Sequence, residues 1–163
     1  MFNLYKLISE QNQSKFTTKN NIQYSCVFTQ PKDLLGLNVK SEVHYFVKTN
    51  NCLEKEPLDV KVGNTVGDLL NRFLNENKTK IVYYICDDSD SKGEKRNLHF
   101  VKWFQKNNTE KDKKLIKCSI KGYIFGGIIL HYSNTEIHII QKYFEQETIQ
   151  FQSLGKQTEI EVI

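Results

Sequence analysis

Short runs of β-branched and aromatic residues alternate with polar segments in the first third of the chain. Residues 22–28 and 42–48 have this content and are bounded by turn-forming residues, which predicts two strands. A third strand is expected at residues 58–62, after the turn NNCLEKEP. Together the three runs predict a three-stranded antiparallel start to a sheet.

The clearest helical pattern begins at Val66, where apolar residues recur at spacings of three and four as far as Leu74. This spacing gathers the apolar side chains on one face of a helix. Thr65 is expected to cap the helix, and Asp68 lies in its first turn, where a negative charge is favourable. The next run, residues 80–86, is almost uninterrupted apolar sequence and predicts a central strand covered on both faces.

A second helix is predicted over residues 94–105, and we expect it to bury Leu98, Val101, Phe104 and part of Trp103. Its basic side chains are expected to point towards water.

The last third of the chain holds two further predicted strands, residues 115–121 and 123–132. The segment that begins at Asn134 allows two interpretations. It forms either a hairpin into a strand TEIHII or a helix with an inner face of Ile137, Ile140 and Phe144. We favour the helix, because these apolar residues are three and four apart and the residues between them are polar.

These elements predict a single α+β domain over residues 1–163. Its sheet is expected to be mixed and mostly antiparallel, with about five or six strands and two or three packed helices. Residues 10–21 are polar and aperiodic and are interpreted as a loop, so residues 1–21 are expected to form a soft N-terminal segment. The tail, residues 150–163, is expected to be an edge strand or loose.

The composition, with 39% hydrophobic and 26% charged residues, is that of a globular protein and excludes collagen-like and wholly disordered classes. The formal net charge of +4 is a mild excess, and the lysines are spread among acidic residues along the chain. A domain that binds nucleic acid usually concentrates its basic residues on one face. Lysine also outnumbers arginine, although arginine is the side chain suited to bidentate recognition of phosphate or guanine.

The four cysteines lie at least 26 residues apart, so none of them has the spacing of a zinc site or a dithiol redox motif. No apolar run is long enough to cross a bilayer, and the first residues lack the pattern of a secretory signal. These features predict a reduced, cytoplasmic protein that has no membrane partner.

The junction between the predicted central strand and the second helix, residues 86–96, is the candidate site. It contains an acidic turn at what would be the carboxyl end of a strand, where ligands commonly bind in open α/β sheets. In one interpretation the protein is a magnesium-dependent nuclease or phosphohydrolase. Its metal ligands would be Asp88 and Asp90, with Asp87 beside them and Arg96 stabilising a phosphate.

In the other interpretation the same residues form a solvated turn between a strand and a helix. Asp90 or Ser91 would then cap the helix, and Arg96 would pair with Asp87. Turn and cap preferences alone favour these residue types, so no cofactor is predicted unless the enzyme alternative holds.

Three large aromatic residues crowd the second helix within five positions, and they cannot all point inward from one helix. At least one is therefore expected to reach the surface, where Trp103 and Phe100 would be apolar contacts for a partner. The basic residues of the same helix are Lys95, Arg96, Lys102 and Lys106. The sequence thus predicts a non-catalytic interaction module that uses helix 94–105 to bind a protein, with nucleic acid as the alternative partner.

The stretch VYYICDDSDSKGEKRNLHFVKWF, with TVGDLLNRFL before it and GYIFGGIILHYSN after it, resembles a bacterial family of short proteins of unknown function. In that family a strand ends in Cys-Asp, an acidic turn follows, and an arginine-bearing helix closes on a Trp-Phe pair. The resemblance covers about residues 22–148. The matching positions are Cys86, Asp87, Asp90, Arg96, Phe100, Trp103 and Phe104. A basic residue that the family places directly after its second acid is displaced here by residues 91–93. The resemblance implies the order of elements and no activity.

Overall fold

The computed structural model describes residues 3–30, 39–52, 59–122 and 124–163. The strands in these ranges are β1 (Ile8–Glu10), β2 (Gln13–Thr17), β3 (Gln23–Thr29), β4 (Val43–Asn50), β5 (Ile81–Cys86), β6 (Lys113–Ile120), β7 (Ile124–His131) and β8 (Thr158–Val162). The helices are α1 (Val60–Glu76), α2 (Gly93–Asn107) and α3 (Ile137–Ser153). No helix in these ranges has both the length and the apolar content needed to cross a bilayer.

All eight strands form one sheet in the order β1-β2-β3-β4-β5-β7-β6-β8. Every neighbouring pair is antiparallel except β4 and β5, which are parallel. The chain passes from β4 to β5 through α1, as a parallel pair requires a long crossover. The α+β class and the mostly antiparallel mixed sheet are confirmed, whereas the expected five or six strands are too few.

The helices pack on both faces of the sheet. Helices α1 and α2 cover one face, over a core that includes Tyr24, Leu74 and Tyr84. Helix α3 packs on the other face, where Ile128 and Ile140 are fully buried. Strands β5 and β7 contribute to both cores, because successive side chains of a strand alternate between the two faces. Burial on both faces explains the almost uninterrupted apolar sequence of β5.

The loop predicted over residues 10–21 is wrong for Gln13–Thr17, which form β2 and pair with β1 and β3, and for Glu10, which ends β1. Strand β2 buries only alternate residues. One of these is Phe16, whose ring stacks on Tyr24 of β3 with 4.9 Å between the ring centroids. Its other residues are polar, and the resulting low apolar content concealed the strand from the sequence analysis.

The strand predicted at residues 58–62 is also wrong, although residue 58 itself lies outside the described residues. Helix α1 already begins at Val60, and the carboxylate of Asp59 caps it by accepting a hydrogen bond of 2.9 Å from the Lys61 N–H. The predicted cap, Thr65, lies inside the helix and is buried. The β-branched residues of this turn resemble a strand locally, but they form the first turn of a helix, in which Val62 is buried and Val60 is exposed.

The favoured helix near the end of the chain is confirmed as α3, in which Ile137, Ile140 and Phe144 are buried. The tail contains the end of α3 and then β8, which is an edge strand of the sheet. The strand predicted at residues 123–132 is β7, although residue 123 lies outside the described residues.

Candidate functional site

Helix α2 turns a different apolar side towards the sheet from the one that the sequence predicted. Phe100, Val101 and Phe104 are buried, and the Phe100 ring stacks on Tyr84 with 3.8 Å between centroids. Leu98, which was predicted to be buried, is 47% exposed. Two residues along a helix turn by about 200°, so Leu98 and Phe100 cannot both face the sheet, and the larger ring buries more apolar area.

Trp103 lies at the border between the buried and exposed sides of α2 and is half-buried. Its indole packs against Gly63 of α1, where a Cβ atom would clash with the ring. The Lys48 ammonium lies 6.0 Å from the centroid of the indole. Of the three crowded rings only Trp103 keeps partial exposure, because Phe100 and Phe104 are buried. Phe100, expected as a surface contact, is therefore not accessible to a partner.

The outward side of α2 is basic with one apolar residue in it. Lys95, Lys102 and Lys106 are exposed, and Leu98 lies between the first two. The spacings of three and four place these residues on one side of the helix. We call this surface the α2 face; it consists of Lys95, Leu98, Lys102 and Lys106.

Arg96, which was also predicted for this surface, is engaged by the acidic turn. Its guanidinium donates to both carboxylate oxygens of Asp90, at 2.6 and 2.9 Å, and to the backbone oxygen of Asp87 at 2.8 Å. The hydrogen bonds from Arg96 lower the pKa of Asp90 to about 2. A bidentate pair of this kind fixes the orientation of both side chains. The expected pairing of Arg96 with the Asp87 side chain is thus replaced by pairing with Asp90.

The other two aspartates accept hydrogen bonds from their own turn. Asp87 accepts from the hydroxyl and the N–H of Ser89, at 2.7 and 3.0 Å, and these bonds lower its pKa. Asp88 accepts from the N–H of Gly93, the first residue of α2, at 2.7 Å. Asp88, rather than Asp90 or Ser91, therefore reaches the first helical N–H group.

The carboxylates of the acidic turn thus find their hydrogen-bond donors within the turn and the first residues of α2. Its three carboxylates accept from three different groups, and in the described part of the chain no three His, Cys, Asp or Glu side chains are grouped to hold a metal ion. At the end of β5, burial raises the pKa of the Cys86 thiol to about 11, so this thiol is protonated at neutral pH.

A second group of polar side chains, which the sequence analysis missed, lies at the opposite end of β5. Strand pairing places Lys113 of β6 beside His131 of β7. Asp112 lies 2.8 Å from the Lys113 ammonium through one oxygen and 3.7 Å from His131 Nε2 through the other. Ser133 Oγ lies 2.6 Å from His131 Nδ1. We call Asp112, His131 and Ser133 the polar triad.

No local sequence signal could have identified the polar triad. Asp112 and His131 are 19 residues apart and lie in different elements, so only the register of β6 on β7 brings them together. The serine follows the histidine by two residues, a spacing that has no meaning until the turn after β7 is known.

The fold and these sites define an α+β protein with a mixed eight-stranded sheet, a helix with a basic outward side, and a polar group around a buried histidine at one sheet end. Residues 58–146 match the model of DUF6169, which is described as a family of unknown function, and the chain belongs to this family. The matched segment includes α1, α2, the acidic turn and the polar triad. No curated protein and no solved structure matches the chain.

Proposed function

We propose that this protein is an interaction module of the bacterial cytoplasm, and that its α2 face is a non-catalytic surface that binds an acidic segment of a partner protein. The observation that supports this most directly is Leu98, which is 47% exposed between two lysines of the same helix. An apolar contact surrounded by cations complements an amphipathic helix with acidic residues beside its apolar ones. The four cysteines, all within the described ranges, form no disulfide, which agrees with a reducing compartment.

The charge distribution favours a partner of this chemistry. Helix α2 has four basic residues and one acidic residue, whereas α3, on the other face of the sheet, has one basic residue and two acidic ones. Among the described residues, Lys95 and Lys102 have no acidic side chain within ion-pair distance. Their charges are therefore available to attract an anionic surface. Trp103, at the α1 side of the α2 face, adds apolar area of the kind found in interfaces.

Charge reversal on the α2 face tests this proposal. We expect Lys95→Glu/Lys102→Glu to weaken binding of a fluorescent amphipathic peptide of Glu and Leu residues by at least about tenfold, because each reversal replaces an attraction by a repulsion. Fluorescence anisotropy at low and high salt measures the affinity. The matched control is Lys121→Glu/Lys142→Glu, which changes the net charge equally at exposed positions outside α2.

The proposal is contradicted if the wild type does not bind the peptide, or if both double variants bind it equally well. Tighter binding of single-stranded or duplex DNA than of the peptide, with affinity that falls steeply with salt, would instead favour nucleic acid as the partner.

The magnesium-dependent nuclease or phosphohydrolase is the second candidate, and it makes a different prediction. A Mg²⁺ ion on Asp88 and Asp90 would have to displace Arg96 from the Asp90 carboxylate, because both oxygens of that carboxylate accept from the guanidinium. We therefore expect millimolar Mg²⁺ or Mn²⁺ to leave the Tm unchanged in differential scanning fluorimetry. A ligand that binds only the folded state raises the Tm, so a rise that disappears in Asp90→Asn would support the enzyme.

A further inference from the structure

The polar triad points to chemistry that the α2 face does not provide. We propose that Ser133 is a nucleophilic serine, that His131 is its general base and Asp112 a positioning residue, and that the hydroxyl accepts an apolar acyl group from a carboxylic ester. The inference is independent of the proposed function. Ser133 lies in the turn between β7 and α3, and none of the residues of the α2 face takes part.

The hydrogen bonds define which nitrogen of His131 carries the proton. The backbone N–H of Ser133 donates to Nδ1 at 3.2 Å, so Nδ1 is unprotonated and the proton of the neutral ring is on Nε2. The Ser133 hydroxyl, 2.6 Å from the same Nδ1, must then donate to it. A hydroxyl that donates to a neutral imidazole is positioned to lose its proton as the oxygen attacks.

Asp112 faces the other nitrogen of the ring. Its Oδ2 lies 3.7 Å from His131 Nε2, and its Oδ1 accepts a bond of 2.8 Å from the Lys113 ammonium. Burial alone would raise the pKa of Asp112, but the hydrogen bond and the charge of Lys113, a backbone hydrogen bond and the charge of His131 together outweigh burial, and the pKa is lowered. At this distance the ionised carboxylate acts on the ring through its charge, which stabilises the imidazolium that forms when the proton moves.

The base is buried while the nucleophile is accessible. His131 is 2% exposed, whereas Ser133 is exposed. Burial, together with the charges of Lys78 and Lys113, lowers the pKa of His131, which keeps the ring neutral and able to accept a proton at neutral pH. Tyr132, which is 59% exposed with its ring 4.9 Å from the imidazole, offers an apolar surface for the acyl chain.

The reaction follows from this arrangement. Ser133 Oγ attacks the ester carbonyl carbon while its proton moves to His131 Nδ1. The bond between the carbonyl carbon and the leaving alcohol oxygen then breaks, and the alcohol takes the proton from Nδ1. An ester between Ser133 and the acyl group remains beside a neutral ring, and water attacking by the same route releases the carboxylic acid.

A fluorophosphonate probe tests the nucleophile, because it phosphonylates an activated serine and releases fluoride. We expect intact-mass measurement to show one phosphonyl group on the wild type, peptide mapping to place it on Ser133, and Ser133→Ala to remain unlabelled. His131→Gln is expected to slow labelling by at least about a hundredfold, the usual range for loss of a general base. The matched control is Ser89→Ala, because the exposed Ser89 hydroxyl also donates to an acceptor, Asp87, but has no imidazole beside it.

Two further measurements separate catalysis from structure. With p-nitrophenyl butyrate we expect a burst of one p-nitrophenolate per wild-type chain and none from Ser133→Ala. Asp112→Asn is expected to slow labelling by at least about tenfold and to lower the pH midpoint of labelling, since Asp112 is the one charged neighbour that raises the pKa of His131, against Lys78 and Lys113. A lower Tm with an unchanged pH midpoint would show that Asp112 is only structural.

The proposal is overturned if the wild type is labelled no faster than Ser133→Ala, or if the label lies on another serine. Neither outcome bears on the α2 face, whose variants are measured by peptide binding.

Discussion

Phe100→Ala is expected to lower the free energy of unfolding by about 3–5 kcal/mol, the usual cost of deleting a buried phenylalanine ring. Phe100 is 8% exposed, stacks on Tyr84 at 3.8 Å and contacts Phe46 with 6.3 Å between centroids. Its removal leaves a cavity between α2 and the sheet. Leu98→Ala, two residues away on the same helix, is expected to cost less than about 1 kcal/mol, because Leu98 is 47% exposed and alanine is a good helix former.

Urea denaturation followed by far-ultraviolet circular dichroism measures the free energy of unfolding of both variants. The dependence of this free energy on urea concentration should be the same as in the wild type if only stability changes. The two variants are expected to differ in binding as well as in stability. Leu98→Ala should weaken binding of the acidic peptide while leaving the fold intact. Phe100→Ala should leave the affinity for the peptide unchanged at temperatures where the variant stays folded. Equal destabilisation by both substitutions would show that α2 faces the sheet through a different side.

The same helix illustrates what sequence can and cannot predict. Its existence and approximate ends follow from periodicity, since residues 94–105 were expected and Gly93–Asn107 are helical. Its rotation does not follow. From the sequence alone, either Leu98 with Val101 or Phe100 could face the sheet. The rotation of α2 is set by the stacking of Phe100 on Tyr84 and by the packing of the Trp103 indole over Gly63 of α1. These contacts come from other elements and leave no trace within α2.

Strands were predictable in proportion to their apolar content. The runs in β3, β4 and β5 are rich in β-branched and aromatic residues and were identified. Strand β2 was missed because one face is polar and its burial depends on Tyr24 of the neighbouring strand.

The acidic turn shows the limit for sites. Its residue types were correctly expected to form a turn before a helix, but the pairing of donors and acceptors depended on backbone geometry. Ser91 adopts a φ of 58°, and Asp88 meets the first N–H of α2 while Asp90 meets Arg96. The polar triad was even harder to predict from the sequence, because only the register of β6 and β7 brings Asp112 and His131 together.

Glu159→Gln/Glu161→Gln is expected to destabilise the protein by about 2 kcal/mol, although both glutamates are exposed. They accept hydrogen bonds of 3.0 and 3.2 Å from the ammonium of Lys117, which is 7% exposed on β6. Burial lowers the pKa of Lys117, but the two carboxylates outweigh it and raise the pKa above the usual 10.5. The part of the stabilisation that is linked to Lys117 is therefore fully present at neutral pH and is lost as the pH rises through the raised pKa.

Substitution of the glutamates and substitution of Lys117 are expected to change the stability differently. Removing both carboxylates leaves a buried ammonium without its counter-charges, whereas Lys117→Met removes the buried charge itself and is expected to be neutral or slightly stabilising. Thermal and urea denaturation measure both variants, with Glu10→Gln/Glu110→Gln as the control that makes the same charge change at exposed positions. If Lys117→Met cost as much as the double glutamate variant, the ion pair itself would stabilise β8, and the cost would not come from stranding a buried charge.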